Sequence, residues 1–198
     1  MNNALYAVVV IAGMSLTAPA AEPATSYSFD FGPGPAGAGH VRVAPDLAYS
    51  KESGFGFDLG TKPTGMAWGV TGAGPFFFSV TLPEGNYRVT ARLGDATGGS
   101  VTTVKAESRR LMVERAASAA GAHQSVTFVV NVRNSKVPAP PANAPGGDQA
   151  RLNDREQGVL HLDDKLTLEF SNSHPCLDGL ISAGRMIFQL CFWQAIRQ

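Results

Sequence analysis

"PFFFSVTLPEGNYRVTARLGD", residues 75–95, carries the reading of the fold. Its first part, "PFFFSVTL", is rich in aromatic and β-branched residues, and it stops at Pro83-Glu84-Gly85-Asn86, a cluster of turn formers. "YRVTARL" from Tyr87 to Leu93 then resumes strict alternation, so the stretch reads as a strand, a turn and a strand. Outward from it the same pattern repeats. Upstream, "YSFDF" from Tyr27 to Phe31 alternates and runs into the loop "GPGPAGAG"; downstream come "SVTTVKAES", "RRLMVERA" and "QSVTFVVNVR", the last spanning Gln124–Arg133. "KLTLEF", Lys165–Phe170, places Leu166, Leu168 and Phe170 on one face. Seven or eight short strands with frequent turn signals and no long helical period predict an all-β protein, an antiparallel β-sandwich. "VPAPPANAPGGDQARLNDREQG", residues 137–158, is too rich in Pro, Gly and Ala for a strand and reads as a long excursion between two strands.

The totals agree with that class. In 198 residues there are 22 Gly and 13 Pro, a turn-rich composition, and 16 basic residues balance 16 acidic ones. No whole-molecule field therefore favours nucleic acid or an anionic membrane. The opening "MNNALYAVVVIAGMSLTAPA" has an apolar run, Ala4–Leu16, that is too short to span a bilayer, followed by small residues before Ala21. It predicts a signal peptide over residues 1–20 and a secreted or periplasmic protein, although its n-region lacks Lys and Arg.

Candidate chemistry is sparse. His40, His123, His161 and His174 show no local metal-ligand spacing, so no zinc or iron site is indicated. Asp163-Asp164 before a strand reads as a turn, with calcium ligation as the less frequent use. No G-x-S-x-G elbow occurs, and "LGDATGG", residues 93–99, carries Ala96 where a nucleophile would stand. Lys105, Arg109, Arg110 and Arg115 alternate with Glu107 and Glu114, as on a solvated strand face. Aromatic rings stack on the apolar faces of sugars, which makes Tyr49, Phe55 and Trp68, in a Gly-rich irregular segment, the candidate carbohydrate contacts. The other reading is that Phe55 and Phe57, at period two, are core side chains.

Several strings are specific. "FDFGPG", "AYSKESGFGFDLG", "FSVTLPEGNYRVTARLGD", "TTVKAESRRLMVE", "VTFVVNVR", "DDKLTLEFSN" and "HPCLDGL" together resemble, in order over residues 27–181, the N-terminal β-sandwich of bacterial rhamnogalacturonan acetylesterases. The resemblance implies a galactose-binding-like jelly roll over residues 25–181. In that family it is followed by an SGNH (GDSL-type) hydrolase domain that removes acetyl esters from pectin.

The family's nucleophile lies in a block resembling PTVFLAGDST, and in its place stands "MIFQLCFWQAIRQ". Codons for Met186–Gln198 can be chosen that, read two bases later, spell DIPTVFLAGDST. The expectation is that residues 182–198 are a frame-shifted tail and that Cys191 belongs to the wrong frame. That leaves Cys176 without a disulfide partner. By this resemblance the chain carries no catalytic residue, and the residues themselves indicate no cofactor and no metal. Its partners would be the missing catalytic domain and pectin polysaccharide, with no nucleic acid and no membrane. An active serine esterase whose frame is broken only by sequencing error is the alternative, and a free-standing lectin-like binder is the third reading.

Overall fold

The two halves of residues 75–95 lie in different sheets. A computed structural model describes residues 26–107, 109–137, 146–149, 153–154 and 162–185. The expected leader, most of the 137–158 excursion, His161 and residues 186–198 with Cys191 lie outside the described residues. Among the described residues the strands are, in chain order, β1 (Tyr27–Asp30), β2 (Val41–Arg42), β3 (Phe55–Asp58), β4 (Thr64–Gly65), β5 (Val70–Thr71), β6 (Phe76–Thr81) and β7 (Gly85–Asp95). There follow β8 (Ser100–Ala106), β9 (Arg110–Ser118), β10 (Ala122–Val132), β11 (Lys165–Ser171), β12 (Cys176–Leu177) and β13 (Gly179–Arg185).

One five-stranded sheet has the order β10-β7-β13-β1-β2 and the other β3-β6-β11-β8-β9; β12-β5-β4 form a small third sheet. Neighbours run antiparallel except β1 and β2, which pair in parallel. The protein is an all-β, antiparallel β-sandwich. The turn at 83–86 therefore does not close a hairpin but carries the chain from one sheet to the other. The crossing is fixed by the Tyr87 hydroxyl, which donates to the Pro83 carbonyl at 2.7 Å, the kind of corner that locks sheet-to-sheet connections in sandwiches.

Alternation sets each face. In β7, Tyr87, Val89, Ala91 and Leu93 are buried, while Arg88 and Arg92 are exposed. In β6, Phe76, Phe78 and Val80 point into the core. Ser79, on the opposite face, is also buried because its hydroxyl donates to Asp58 Oδ2 at 2.6 Å and pairs with Thr167 Oγ1 at 2.8 Å. Asp58 accepts from Ser79 and so leaves Thr167 to donate to it, which satisfies every polar atom of the pair. The core between the sheets is aromatic. Phe78 meets Phe29, Phe31 and Phe57 with ring centroids at 5.2, 5.1 and 5.6 Å, all edge-on.

β3 and β13 do not announce themselves in the sequence, for a physical reason in each case. β3 is four residues long and contains Gly56, and β13, "GLISAGR", is half small residues and carries little strand propensity of its own. β13 nonetheless occupies the middle of its sheet, pairing with β1 and β7. It runs to Arg185, past the boundary expected at 181, and Ser182 pairs with both Tyr27 and Val89. Glu107, read as part of a solvated face, is buried, whereas Arg109, Glu114 and Arg115 around it are exposed. It sits in the β8–β9 turn, where its amide bonds the Thr167 carbonyl at 2.8 Å and pulls the side chain inward.

Candidate functional site

The outward face of the β10-β7-β13-β1 sheet gathers the polar side chains that alternation keeps out of the core. Arg92 of β7 lies in register with Ser125 of β10 and Gly179 of β13. Thr90 and Thr127 share a hydroxyl hydrogen bond of 2.9 Å one step further along. Gly179 leaves the floor open, since a Cβ there would stand 3.7 Å from Arg92 Nε. The result is a cleft of about 170 Å³ between Arg92, Thr90, Ser125, Asp30 and His40.

Its acidic wall is built by a loop. Asp30, at the end of β1, accepts from the Gly37 amide at 2.8 Å and sits 2.9 Å from His40 Nδ1. Burial pushes its carboxyl up, but the Gly37 and His40 hydrogen bonds outweigh that and hold it below the usual carboxylate range. Arg42 bonds the Gly34 carbonyl and closes the same loop.

Beyond Arg92 the charges continue to an aromatic plane. Asp178, buried between β12 and β13, has Arg92 Nε at 2.6 Å and His123 Nδ1 at 3.1 Å. Neither approach forms an aligned hydrogen bond to Oδ2, and Arg92 is the fixed positive charge beside it. His123 in turn stacks under Trp68 with centroids 4.0 Å apart and planes 23° off parallel. Trp68 is partly exposed. Four side chains, Arg92, Asp178, His123 and Trp68, thus form one contiguous run beside the cleft.

The three aromatic candidates go to three different surroundings. Trp68 joins this run. Phe55 packs against the core, with its ring 5.0 Å from Phe29 and 6.4 Å from Tyr27, and Phe57 is buried. That packing engages part of the Phe55 ring and leaves it half-buried. Tyr49 lies in a separate recess with Lys51, Asp163, Asp164 and Lys165. Its hydroxyl pairs with Thr81 Oγ1 at 3.0 Å, and Lys165 Nζ lies over its ring at 4.6 Å, so one ring face is occupied. Asp163 Oδ1 accepts from the Lys165 amide at 3.4 Å, the turn-before-strand use of Asp-Asp.

No family model matches the chain, and no curated protein matches it. Two solved structures are similar. The Bacillus subtilis protein YxiM shares 20% identity at a TM-score of 0.47, over 81% of this chain and 40% of that one. An Arthrobacter globiformis isomalto-dextranase, complexed with panose, shares 15% identity at a TM-score of 0.31, over 65% of this chain and 21% of that one. The chain thus spans less than half the length of either.

The histidines follow a rule that their spacing hid. Each described histidine faces an aspartate: His40 Asp30, His123 Asp178, and His174 Asp95. The last pair also has Cys176 beside it, and ligand atoms of Asp95, His174 and Cys176 lie within 4.8 Å of one another. Asp95 and His174 are 79 residues apart, so no local motif could reveal the group. The Thr97 amide, followed by His174, holds the Asp95 carboxyl below its usual range, while burial pushes the Cys176 thiol up. Cys176 is buried and free.

Proposed function

We propose that this β-sandwich is a non-catalytic, carbohydrate-binding accessory module of a secreted rhamnogalacturonan acetylesterase. The observation that carries the binding role is the run Trp68, His123, Asp178 and Arg92 beside the Asp30–His40 cleft. An indole plane offers a surface for the C–H face of a sugar, and its stack on His123 holds it in place at little further entropic cost. Arg92 and Asp30 supply donors and an acceptor for ring hydroxyls. A cleft of about 170 Å³ is smaller than the ~300–1,000 Å³ pockets of drug-sized ligands. It suits one ring of a longer polymer lying along the sheet.

The prediction is retention of the protein on acetylated rhamnogalacturonan in affinity electrophoresis. Trp68→Ala should weaken that retention by about five- to tenfold, as loss of one stacking contact of about 1–1.5 kcal/mol requires, while Phe55→Leu leaves it unchanged. Equal retention of the wild type and Trp68→Ala would remove the indole from the site. No retention of either would leave the module a structural support.

The specific pectin assignment rests on the strings between residues 27 and 181 and on the shifted-frame block at 186–198. That block favours one second reading, an active serine esterase whose frame is interrupted only in the recorded sequence. Sequencing the DNA across codons 180–200 tests both. Codons that spell DIPTVFLAGDST two bases later support the family assignment, and any other codon set removes the frame-shift reading. Release of acetate by the 198-residue protein would overturn the non-catalytic reading.

A further inference from the structure

We infer that Asp95, His174 and Cys176 form a binding site for a transition-metal dication, Zn²⁺ by the chemistry of its donors, which clasps the β7–β8 turn to the β11–β12 loop. This inference does not rest on the carbohydrate reading. The three donors are one carboxylate oxygen, one imidazole nitrogen and one sulfur, a set that matches zinc rather than calcium or magnesium. Thiolate and carboxylate together neutralise the two charges of the ion.

The geometry is close to what the ion needs. Bond lengths of about 2.0–2.1 Å to N and O and about 2.3 Å to S place tetrahedral ligand atoms about 3.3–3.6 Å apart. Asp95 Oδ2 and His174 Nε2 stand at 2.7 Å, with a hydrogen bond where the ion would go, and all three donors fall within 4.8 Å. Opening the first pair by about half an ångström needs only a small swing of the His174 ring, which is 43% exposed.

The surroundings are those of a prepared site. Thr97 holds Asp95 Oδ1 through its amide at 2.9 Å and its hydroxyl at 3.2 Å, which turns Oδ2 toward the ring. On the far side of the imidazole, Nδ1 faces Thr71 Oγ1 at 3.4 Å, and that hydroxyl donates its own proton to the Pro175 carbonyl at 2.9 Å. Thr71 is thus committed as an acceptor, so that once an ion displaces the Nε2 proton that now bonds Asp95, the ring can keep its proton on Nδ1 facing Thr71, the second-shell arrangement of metal-bound histidines. Cys176 is anchored by its amide on Thr102 Oγ1 at 3.1 Å.

Two backbone features point the same way. Asn172 and His174 both sit at positive φ, 100° and 55°, the tight loop that carries the His174 ring back against Asp95. Gly98 keeps the open flank clear, since a Cβ there would lie 3.3 Å from Asp95 Oδ2 and 4.0 Å from His174 Nε2. With three protein ligands, the fourth position faces this flank and is left to water or a ligand heteroatom.

The test uses the 198-residue chain carrying Cys191→Ser, reduced and stripped of metal, titrated with Co²⁺ and then Zn²⁺. The expected result is one equivalent of Co²⁺ bound with a thiolate-to-cobalt charge-transfer band, displaced by Zn²⁺, and a Zn²⁺-dependent rise in Tm of several degrees. Cys176→Ser should abolish the band, and His174→Ala should weaken Zn²⁺ binding more than tenfold. Thr71→Val should weaken it by about tenfold through the ring orientation alone. Absence of the band in the Cys191→Ser protein overturns the site. So does a band that survives Cys176→Ser, or a Zn²⁺-induced Tm rise that is the same in His174→Ala.

Discussion

Phe78→Ala is expected to lower the unfolding free energy by about 3–5 kcal/mol, the range for removing a buried phenylalanine. Phe78 is fully buried, and its ring is met edge-on by Phe29 and Phe31 from one side of the sandwich and by Phe57 from its own sheet. The substitution therefore removes apolar burial, three aromatic contacts of about 0.5–1.5 kcal/mol each, and the contact that joins the sheets. The surrounding rings are held by backbone ladders on both sides and cannot collapse into the gap, which puts the effect toward the upper end. Against a total stability of about 5–15 kcal/mol, a large share of the fold's margin goes. Urea unfolding followed by near-UV circular dichroism measures it as a fall in midpoint at constant slope. A loss below about 1 kcal/mol would mean that Phe78 does not sit at the centre of the core. Val129→Ala, on the exposed face of β10, is the matched control and should change stability by about 0.5 kcal/mol or less.

The second large effect is electrostatic and has the opposite sign. Glu107 is 6% exposed, and its carboxyl is pushed up to about 8 from 4.5, first by burial and then by repulsion from Asp163. The Thr167 amide, Arg110 and Lys165 offset this only in part. A raised acid binds its proton more tightly in the native state than in the unfolded chain. Its contribution is therefore fully present below about pH 4.5 and is lost as pH rises toward 8, with a slope approaching 1.4 kcal/mol per pH unit. Asp163 is also raised, chiefly by burial, and adds to the same trend.

Glu107→Gln should remove most of that slope and leave the protein more stable at pH 8 by about 2–4 kcal/mol. Little change is expected at pH 4.5. Gln keeps the left-handed backbone of residue 107, at φ 55°, so the comparison isolates the charge. Thermal unfolding of both proteins across pH 4.5–8.5 is the measurement. Parallel curves would show that the Glu107 carboxyl is solvated in the native state.

Both predictions separate what a local pattern can carry from what it cannot. The strands of residues 76–81, 85–95, 100–106, 110–118, 122–132 and 165–171 lie where alternation and β-branching put them. β13 escaped because a strand flanked on both sides draws its stability from its neighbours' hydrogen bonds, not from its own side chains. Period two puts Glu107 among solvated charges, and the turn that rotates it inward is held by a tertiary contact with Thr167.

The candidate site divides in the same way. Trp68 stood out as an aromatic residue in a Gly-rich segment, yet nothing near it in sequence announced His123, Arg92 or Asp178. Phe55 and Tyr49 share that segment, one half-buried against the core and one under Lys165.

Taken by itself, the sequence determined the fold class, since hydrophobic periodicity, turn residues and strand propensity are properties of a few adjacent residues. Only the tertiary structure decided which sheet each strand joined and which aromatic ring stayed at the surface. It also set three aspartates against three histidines. Those outcomes depend on groups brought together across tens of residues, where burial and charge act through space and leave no trace in local spacing.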